Sequence, residues 1–255
     1  MLIAQGGAVL ARQRHRCAIP PWRLRLLSVC ASTELELAQW LQRTPWDGQQ
    51  PRAVIARRQT RAHGQWGRTW QAPVGGVWIS AALPWPAAQA APGLMGLAVA
   101  LALTQRLEHE GLPVRIKWPN DLLIADQKLA GVLPRMVHRG EQLRLARIGV
   151  GLNVTNPVPA GAVALRQHLI QGRCRLRLWM EAVLEALDRA CELAQTPEAL
   201  VQAVEIRLWS KEVCDPISGE WWGIEGVGAD GSLRLRQGAR TTSWTRWADA
   251  PKEGL

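Results

Sequence analysis

The tightest constraint in this chain is a strand that has to stop. Val114 to Trp118 reads as a strand, and Pro119 follows at once. Proline has no N–H for a ladder, so it ends the strand and turns Asn120 and Asp121 out of it. Seven residues after Asp121 comes Lys128-Leu129-Ala130-Gly131. The stretch also spends the chain's rarest polar residues. There are four lysines (117, 128, 211, 252) against 27 arginines, and three asparagines (120, 153, 156). A chain that writes nearly every cation as arginine keeps two lysines within twelve residues. An ammonium is a compact point charge that sits against a phosphate or carboxylate oxygen, where a guanidinium imposes a flat fork.

Around this stretch the pattern predicts a mixed layer of helices and strands. Leu24–Val29, Ala53–Ala56 and Val77–Leu83 read as strands, and Ser32 or Thr33 caps a helix through Leu41. Pro92–Glu110 reads as a helix with one apolar stripe, ended by Gly111. Leu129–Val137 and Gln142–Val150 read as paired strands about Arg139-Gly140. Arg175–Gln195 and Pro197–Leu208 read as helices. After Ser210 the texture changes to short strands between Gly219, Gly223, Gly226, Gly228, Gly231 and Gly238, the pattern of a small β-barrel. The expected fold is α+β, with a mixed sheet flanked by helices over residues 22–209 and a small barrel over 210–255. Residues 1–21 are expected to be a loose tail. Neither a G-x-G-x-x-G nor a G-K-[ST] loop is present.

The net charge of +10 is an arginine excess, which suits a phosphate-bearing ligand, an acidic protein or nucleic acid. A GC-rich coding bias is the alternative source of the excess. It does not fully explain the absence of Phe and Tyr beside 14 Trp. Five cysteines, an odd number without a C-x-x-C pair, point to a reduced, cytoplasmic protein without a zinc site. No apolar run reaches the roughly 18 residues of a membrane span, so no membrane partner is expected.

Two further stretches carry chemistry. The loop Gln59 to Trp70 combines Gly64 and Gly67 with Arg61, His63, Arg68, Gln59, Gln65 and the flat face of Trp70. It suits a ligand with an anionic centre and an aromatic end. Ile148 to Thr155 is a buried strand running through glycines to Asn153, which could read a base edge or cap the strand.

Together these stretches resemble the biotin protein ligase (biotin–[acetyl-CoA-carboxylase] ligase) family. The K-W-P-N-D…K-L-A-G block matches almost letter for letter. Gln59–Trp70 matches the family's Q-x-x-G-R-G-R-x-G-R-x-W loop in part. Gly149–Val154 matches its G-x-G-x-N-V strand, and Ser32-Thr33 its S-T element. The resemblance implies a class II synthetase-like catalytic fold with a C-terminal SH3-like barrel. It also implies two-step chemistry with ATP and Mg²⁺: biotin becomes biotinyl-5′-AMP and is then passed to a lysine. By matching position, Ser32, Thr33, Gln59, His63, Gly64, Gln65, Lys128 and Gly131 would line the biotin site. Arg68, Trp70, Lys117, Asn120 and Asn153 would hold ATP or the adenylate. Lys128, Lys117 and Asp121 would carry the chemistry, with Asp121 on magnesium.

The implied partner is a biotin carboxyl carrier protein, the acceptor domain of acetyl-CoA carboxylase. A homodimer is left open. Only about 25 residues precede the first expected strand, too few for a helix-turn-helix, so a ligase without a DNA-binding domain is expected. There are departures. Ala62 replaces a loop glycine, His63 and Gln65 replace two loop arginines, Glu34 replaces an asparagine and Arg135 a glutamate. They keep open a catalytically impaired binding module. A lipoate or octanoate ligase is the neighbouring enzyme reading.

Overall fold

The computed structural model describes residues 22–46, 49–84, 91–139 and 142–245. The expected tail over 1–21 and Gly140 of the hairpin turn lie outside these residues. The first half runs β1 (Arg23–Leu27), α1 (Thr33–Arg43), β2 (Arg52–Ala56), β3 (Val77–Leu83) and α2 (Leu94–Glu108). Then come β4 (Val114–Lys117), β5 (Asp121–Ile124), β6 (Gln127–Arg139) and β7 (Gln142–Leu152). Two helices follow, α3 (Leu176–Leu193) and α4 (Pro197–Glu205). The last strands are β8 (Glu212–Cys214), β9 (Trp221–Val227), β10 (Leu233–Gln237) and β11 (Arg240–Trp244).

The first seven strands form one sheet in the order β1-β2-β3-β7-β6-β5-β4. β1 and β2 are parallel, so they need a crossover, which α1 supplies. All the other pairs are antiparallel. The expected mixed sheet with flanking helices is therefore present.

Side chains alternate between the two faces of a strand, and that alternation separates core from cleft. On β3, Val77, Ile79, Ala81 and Leu83 join the main core, while Trp78 and Ala82 belong to clusters on the other side. On β7 the core takes Ala146, Ile148, Val150 and Leu152, which leaves Arg147, Gly149 and Gly151 on the opposite face. On β6 it takes Ala130 and Val132, leaving Gly131, Leu133 and Arg135. A register shift in the β5–β6 pairing sets Asp121 opposite Gly131 and Leu123 opposite Lys128. An odd spacing of three residues thereby brings Lys128 and Gly131 to one face.

Three expectations need correction. Pro92–Glu110 was expected to show one apolar stripe, but Leu94–Thr104 is buried all round, because α2 is enclosed by the sheet on one side and by α3 and α4 on the others. Asp121 leaves β4 as expected but does not lie in a loop. It opens β5, a strand the sequence reading missed, and pairs with Lys117. The helix expected to reach Leu208 ends at Glu205, because residues 207–209 leave it to pair with β4.

The last four strands form an antiparallel sheet in the order β11-β10-β9-β8, consistent with the small barrel expected. Its Val213, Trp222, Val227, Leu233 and Leu235 belong to the same apolar cluster as α2 and α3. The joint is also polar. Trp118 Nε1 donates to Gly231 O at 2.9 Å, and Val227 N donates to Glu205 Oε1 at 2.7 Å.

Candidate functional site

The face of the sheet turned away from the main core floors a cleft of about 550 Å³. Every residue assigned by resemblance to the biotin or ATP site lines it: Ser32, Thr33, Gln59, His63, Gly64, Gln65, Arg68, Trp70, Lys117, Asn120, Asp121, Lys128, Gly131 and Asn153; Arg61 and Gly67 of the loop do not.

One end is lined by polar groups, with the Glu34 carboxylate beside them paired to Arg135. Ser32 caps α1 and accepts from Glu34 N at 3.2 Å. Gln59 is pinned between neighbouring segments by Gln59 N donating to Ala72 O at 2.9 Å. Its Oε1 accepts from Thr33 N at 2.7 Å and from Thr33 Oγ1 at 3.1 Å. Thr33 Oγ1 also lies 2.8 Å from Ser80 Oγ. With its carbonyl spent on Thr33, the Gln59 side chain has its amide NH₂ left to donate. Ser80 was missed in the sequence. The signal was there: one hydroxyl in an otherwise apolar buried strand, which needs a partner to be tolerated.

The other end is cationic. Lys128 Nζ lies 2.6 Å from Asp121 Oδ2 and 5.0 Å from the centre of the Trp70 ring. Lys117, at the end of β4, also faces the cleft. Asp121 balances one of the two lysines, and Glu34 is held by Arg135. With Arg68 added, the cleft keeps a net positive charge, so an anionic ligand is favoured.

Trp70 lies over glycine. A Cβ on Gly151 would come within 2.9 Å of its ring, and one on Gly131 within 3.3 Å. Only glycine lets the indole approach these strands so closely. Trp70 packs edge-on to Trp78 at 6.3 Å. Its Nε1 is buried without a hydrogen-bond partner.

The three asparagines are structural parts of this site. Asn120 Nδ2 donates to Val132 O and ties the β4–β5 turn to β6. Asn153 is buried, donates to Lys128 O at 3.4 Å and accepts from Asn156 Nδ2 at 3.0 Å. The Asn153 amide thereby ties the end of β7 to the segment carrying Lys128. That segment is fixed further by Lys128 N donating to Gly161 O at 2.9 Å and Val163 N donating to Lys128 O at 3.0 Å.

His63, Gly64, Gln65 and Arg68 lie on a loop that folds on itself. Gly64 N donates to Arg68 O at 2.7 Å and Trp70 N to Ala62 O at 3.0 Å. His63 and Arg68 are exposed, at the cleft mouth. Among the described residues no group of three or more His, Cys, Asp or Glu could hold a metal ion. A divalent cation here would have Asp121 and the oxygens of its own ligand. No helix among the described residues is long and apolar enough to cross a membrane.

Residues 29–153 match the model of the Biotin/lipoate A/B protein ligase family. Over 104 residues the chain is 40% identical to the bifunctional ligase/repressor BirA of Bacillus subtilis, covering 40% of this chain and 32% of that protein. Over 132 residues it is 32% identical to the biotin–[acetyl-CoA-carboxylase] ligase of Paracoccus denitrificans, covering 51% of this chain and 52% of that protein. The chain thus spans about a third of the first relative and half of the second. Among solved structures, the biotin protein ligase of Aquifex aeolicus in complex with biotin and ATP aligns with a TM-score of 0.67 at 20% identity. That alignment covers 88% of this chain and 96% of the other. The biotin protein ligase of Leishmania major in complex with biotinyl-5-AMP aligns at 0.56 and 19%, covering 87% and 97%. At such identities the likeness speaks for the fold.

Proposed function

We propose, from the match of residues 29–153 to the model of the biotin/lipoate A/B protein ligase family, that this chain activates biotin with ATP. It then passes the biotin to a lysine of a biotin carboxyl carrier protein. The observation that carries the reading is one cleft with a hydrogen-bonding end and a cationic end. At the first stand Thr33, Gln59 and Ser80; at the second, Lys128, Lys117 and Arg68.

Biotin has a neutral ureido head and an anionic tail. The head fits Ser32, Thr33 and the amide NH₂ of Gln59. The tail carboxylate reaches toward Lys128. In the first half-reaction a carboxylate oxygen attacks the α-phosphorus of ATP, the bond to pyrophosphate breaks, and biotinyl-5′-AMP forms. In the second, an acceptor lysine amine attacks the acyl carbon, AMP leaves with the former carboxylate oxygen, and the amine loses a proton. The protein supplies position and fixed charge. Lys128, held by Asp121 and Trp70, offsets the charge of the carboxylate and the phosphate. Lys117 and Arg68 bind phosphate, and Trp70 faces the adenosine. Asn120 and Asn153 hold the strands that present Asp121 and Lys128. Asp121 is the residue that would hold Mg²⁺, which would supply neutralisation of phosphate charge. In this reading residues 22–209 carry catalysis and the strands after residue 210 belong to a small appended domain; the end of the expected 210–255 span, after residue 245, lies outside the described residues.

Biotin-dependent exchange between ATP and pyrophosphate tests the first half-reaction. Exchange with biotin and none with lipoate is the expected result. Exchange with lipoate alone moves the assignment to lipoate ligation. No exchange with either acid leaves a binding module and overturns the enzymatic reading.

A further inference from the structure

Lys117 does not stand alone at the end of β4. Its Nζ lies 5.0 Å from the centre of the Trp209 ring. Trp209 belongs to the segment between α4 and the C-terminal sheet, far from the cleft in sequence. It is fastened at three points. Ile116 N donates to Arg207 O at 2.8 Å and Trp209 N to Ile116 O at 2.9 Å, so the segment runs beside β4. Trp209 Nε1 donates to Asp126 Oδ1 at 2.9 Å. Asp126 lies in the two-residue turn between β5 and β6, beside Ala125, which takes a positive φ of 50°. That turn joins the strands carrying Asp121 and Lys128.

We propose that Trp209 is a positioning residue for Lys117. The indole face attracts the ammonium, while the indole N–H ties the same ring to the hairpin that carries Asp121 and Lys128. One side chain thus sets the spacing between the two cleft lysines. A ring quadrupole holds a cation without neutralising it, so Lys117 keeps its full charge for an anionic ligand. A carboxylate in the same place would have cancelled it. The ring is 37% exposed, so its edge is not consumed by the core. The role of Lys117 toward nucleotide phosphate rests on the function proposed above. The Trp209–Lys117 contact does not.

The chain has only four lysines, so limited acetylation with acetic anhydride, read peptide by peptide, assigns each amine. Trp209→Leu removes the ring, and Trp221→Leu removes an exposed tryptophan elsewhere as a control. The expected result is a roughly 3- to 10-fold rise in Lys117 acetylation relative to Lys211 in Trp209→Leu only. Trp209→Phe keeps a ring and retains a ratio near the native one. An unchanged ratio in Trp209→Leu, or a Trp209→Phe protein that behaves like it, overturns the proposal. In pyrophosphate exchange, Trp209→Leu raises KM for ATP by roughly 5-fold, with KM for biotin unchanged. Equal rises in both KM values mark a merely structural role and overturn it too. If the native protein shows no exchange, the proposed function fails while the acetylation ratio still decides this one.

Discussion

Arg135 Nε stands 2.8 Å from Oε1 of Glu34, and Arg147 reaches the same oxygen at 4.0 Å. Both partners of the shorter pair are departures from the family that the sequence resembles: Glu34 for an asparagine, Arg135 for a glutamate. The two departures meet in space, from the first turn of α1 to β6, and each accounts for the other. Arg135 is half exposed, so the pair itself contributes about 1 kcal/mol or less. Charge reversal is more costly, because Glu34→Arg would place three cations together. The prediction is that Glu34→Arg lowers the free energy of unfolding by about 1–2 kcal/mol in urea titration. Adding Arg135→Glu restores part of the loss. Restoration is incomplete because Arg147 still faces the new arginine. A double mutant no more stable than Glu34→Arg alone would show that the pair is incidental.

Gly151→Ala tests the seat of Trp70. A Cβ there would lie 2.9 Å from two ring carbons and 3.0 Å from Nε1, so the ring has to lift. Overpacking of this kind costs about 1–3 kcal/mol. The lifted ring also leaves Lys128. The expected outcome is a modest fall in stability with a loss of ATP affinity of about 10-fold or more. Gly131→Ala, with its contacts at 3.3 Å, should show a smaller version of both. Isothermal titration with ATP and thermal unfolding of the two variants give the comparison. A Gly151→Ala protein with native ATP affinity would remove Trp70 from the nucleotide site.

The parts that the sequence made legible share a physical cause. Lys117 and Lys128 stood out because lysine is scarce in this chain, and Asp121 because it follows closely on Pro119, where backbone chemistry leaves few options. Strands β2 and β3 were legible as largely apolar runs, because both of their faces are covered. What stayed hidden depends on distant pairing. β5 is four residues long, and its Asp121 looked like part of a turn until Lys117 was seen opposite it. The register shift that turns Lys128 toward the cleft has no local signal. Ser80 and Asn156 needed their partners, Thr33 and Asn153, to acquire meaning. Trp209 and Asp126 are more than eighty residues apart, and only the folded chain brings them together.

Cysteine reactivity gives a test independent of function. Burial, with a smaller push from Glu36, raises the Cys30 thiol to about 11. At pH 8 only on the order of one molecule in a thousand then carries its thiolate, which is the reactive form. Burial raises Cys174 as well. Cys191 and Cys214 are partly exposed. Iodoacetamide at pH 8 should therefore modify Cys214 well before Cys30 and Cys174, and the last two should react only on unfolding in urea. The sign is fixed by the direction of the shift. Raising the pH toward 11 should speed Cys30 labelling in the native protein, with no change in circular dichroism. Rapid labelling of Cys30 at pH 8 would contradict its place beneath the loop that carries Gln59.

The strongest prediction for the cleft concerns Gln65, one of the two positions where a loop arginine is replaced by an uncharged or weakly basic residue. Gln65 lines the cleft and opens the short turn Gln65–Gly67. Its carbonyl accepts from Arg68 N at 3.2 Å, so the turn is formed whatever side chain stands there. A glutamine can donate to a phosphate but brings no charge. An arginine in its place adds a charge-assisted bond in a partly enclosed site, worth about 1.5–3 kcal/mol. In a protein that makes biotinyl-5′-AMP, Gln65→Arg should slow release of the intermediate by roughly 10-fold or more. Chasing preformed labelled adylate-enzyme complex with excess unlabelled biotin and ATP measures that rate. Gln65→Glu should speed release, since the same position would then repel the phosphate. Equal release from all three proteins would mean that the loop does not fold over the intermediate, and retention would then rest on Lys128, Lys117 and Arg68.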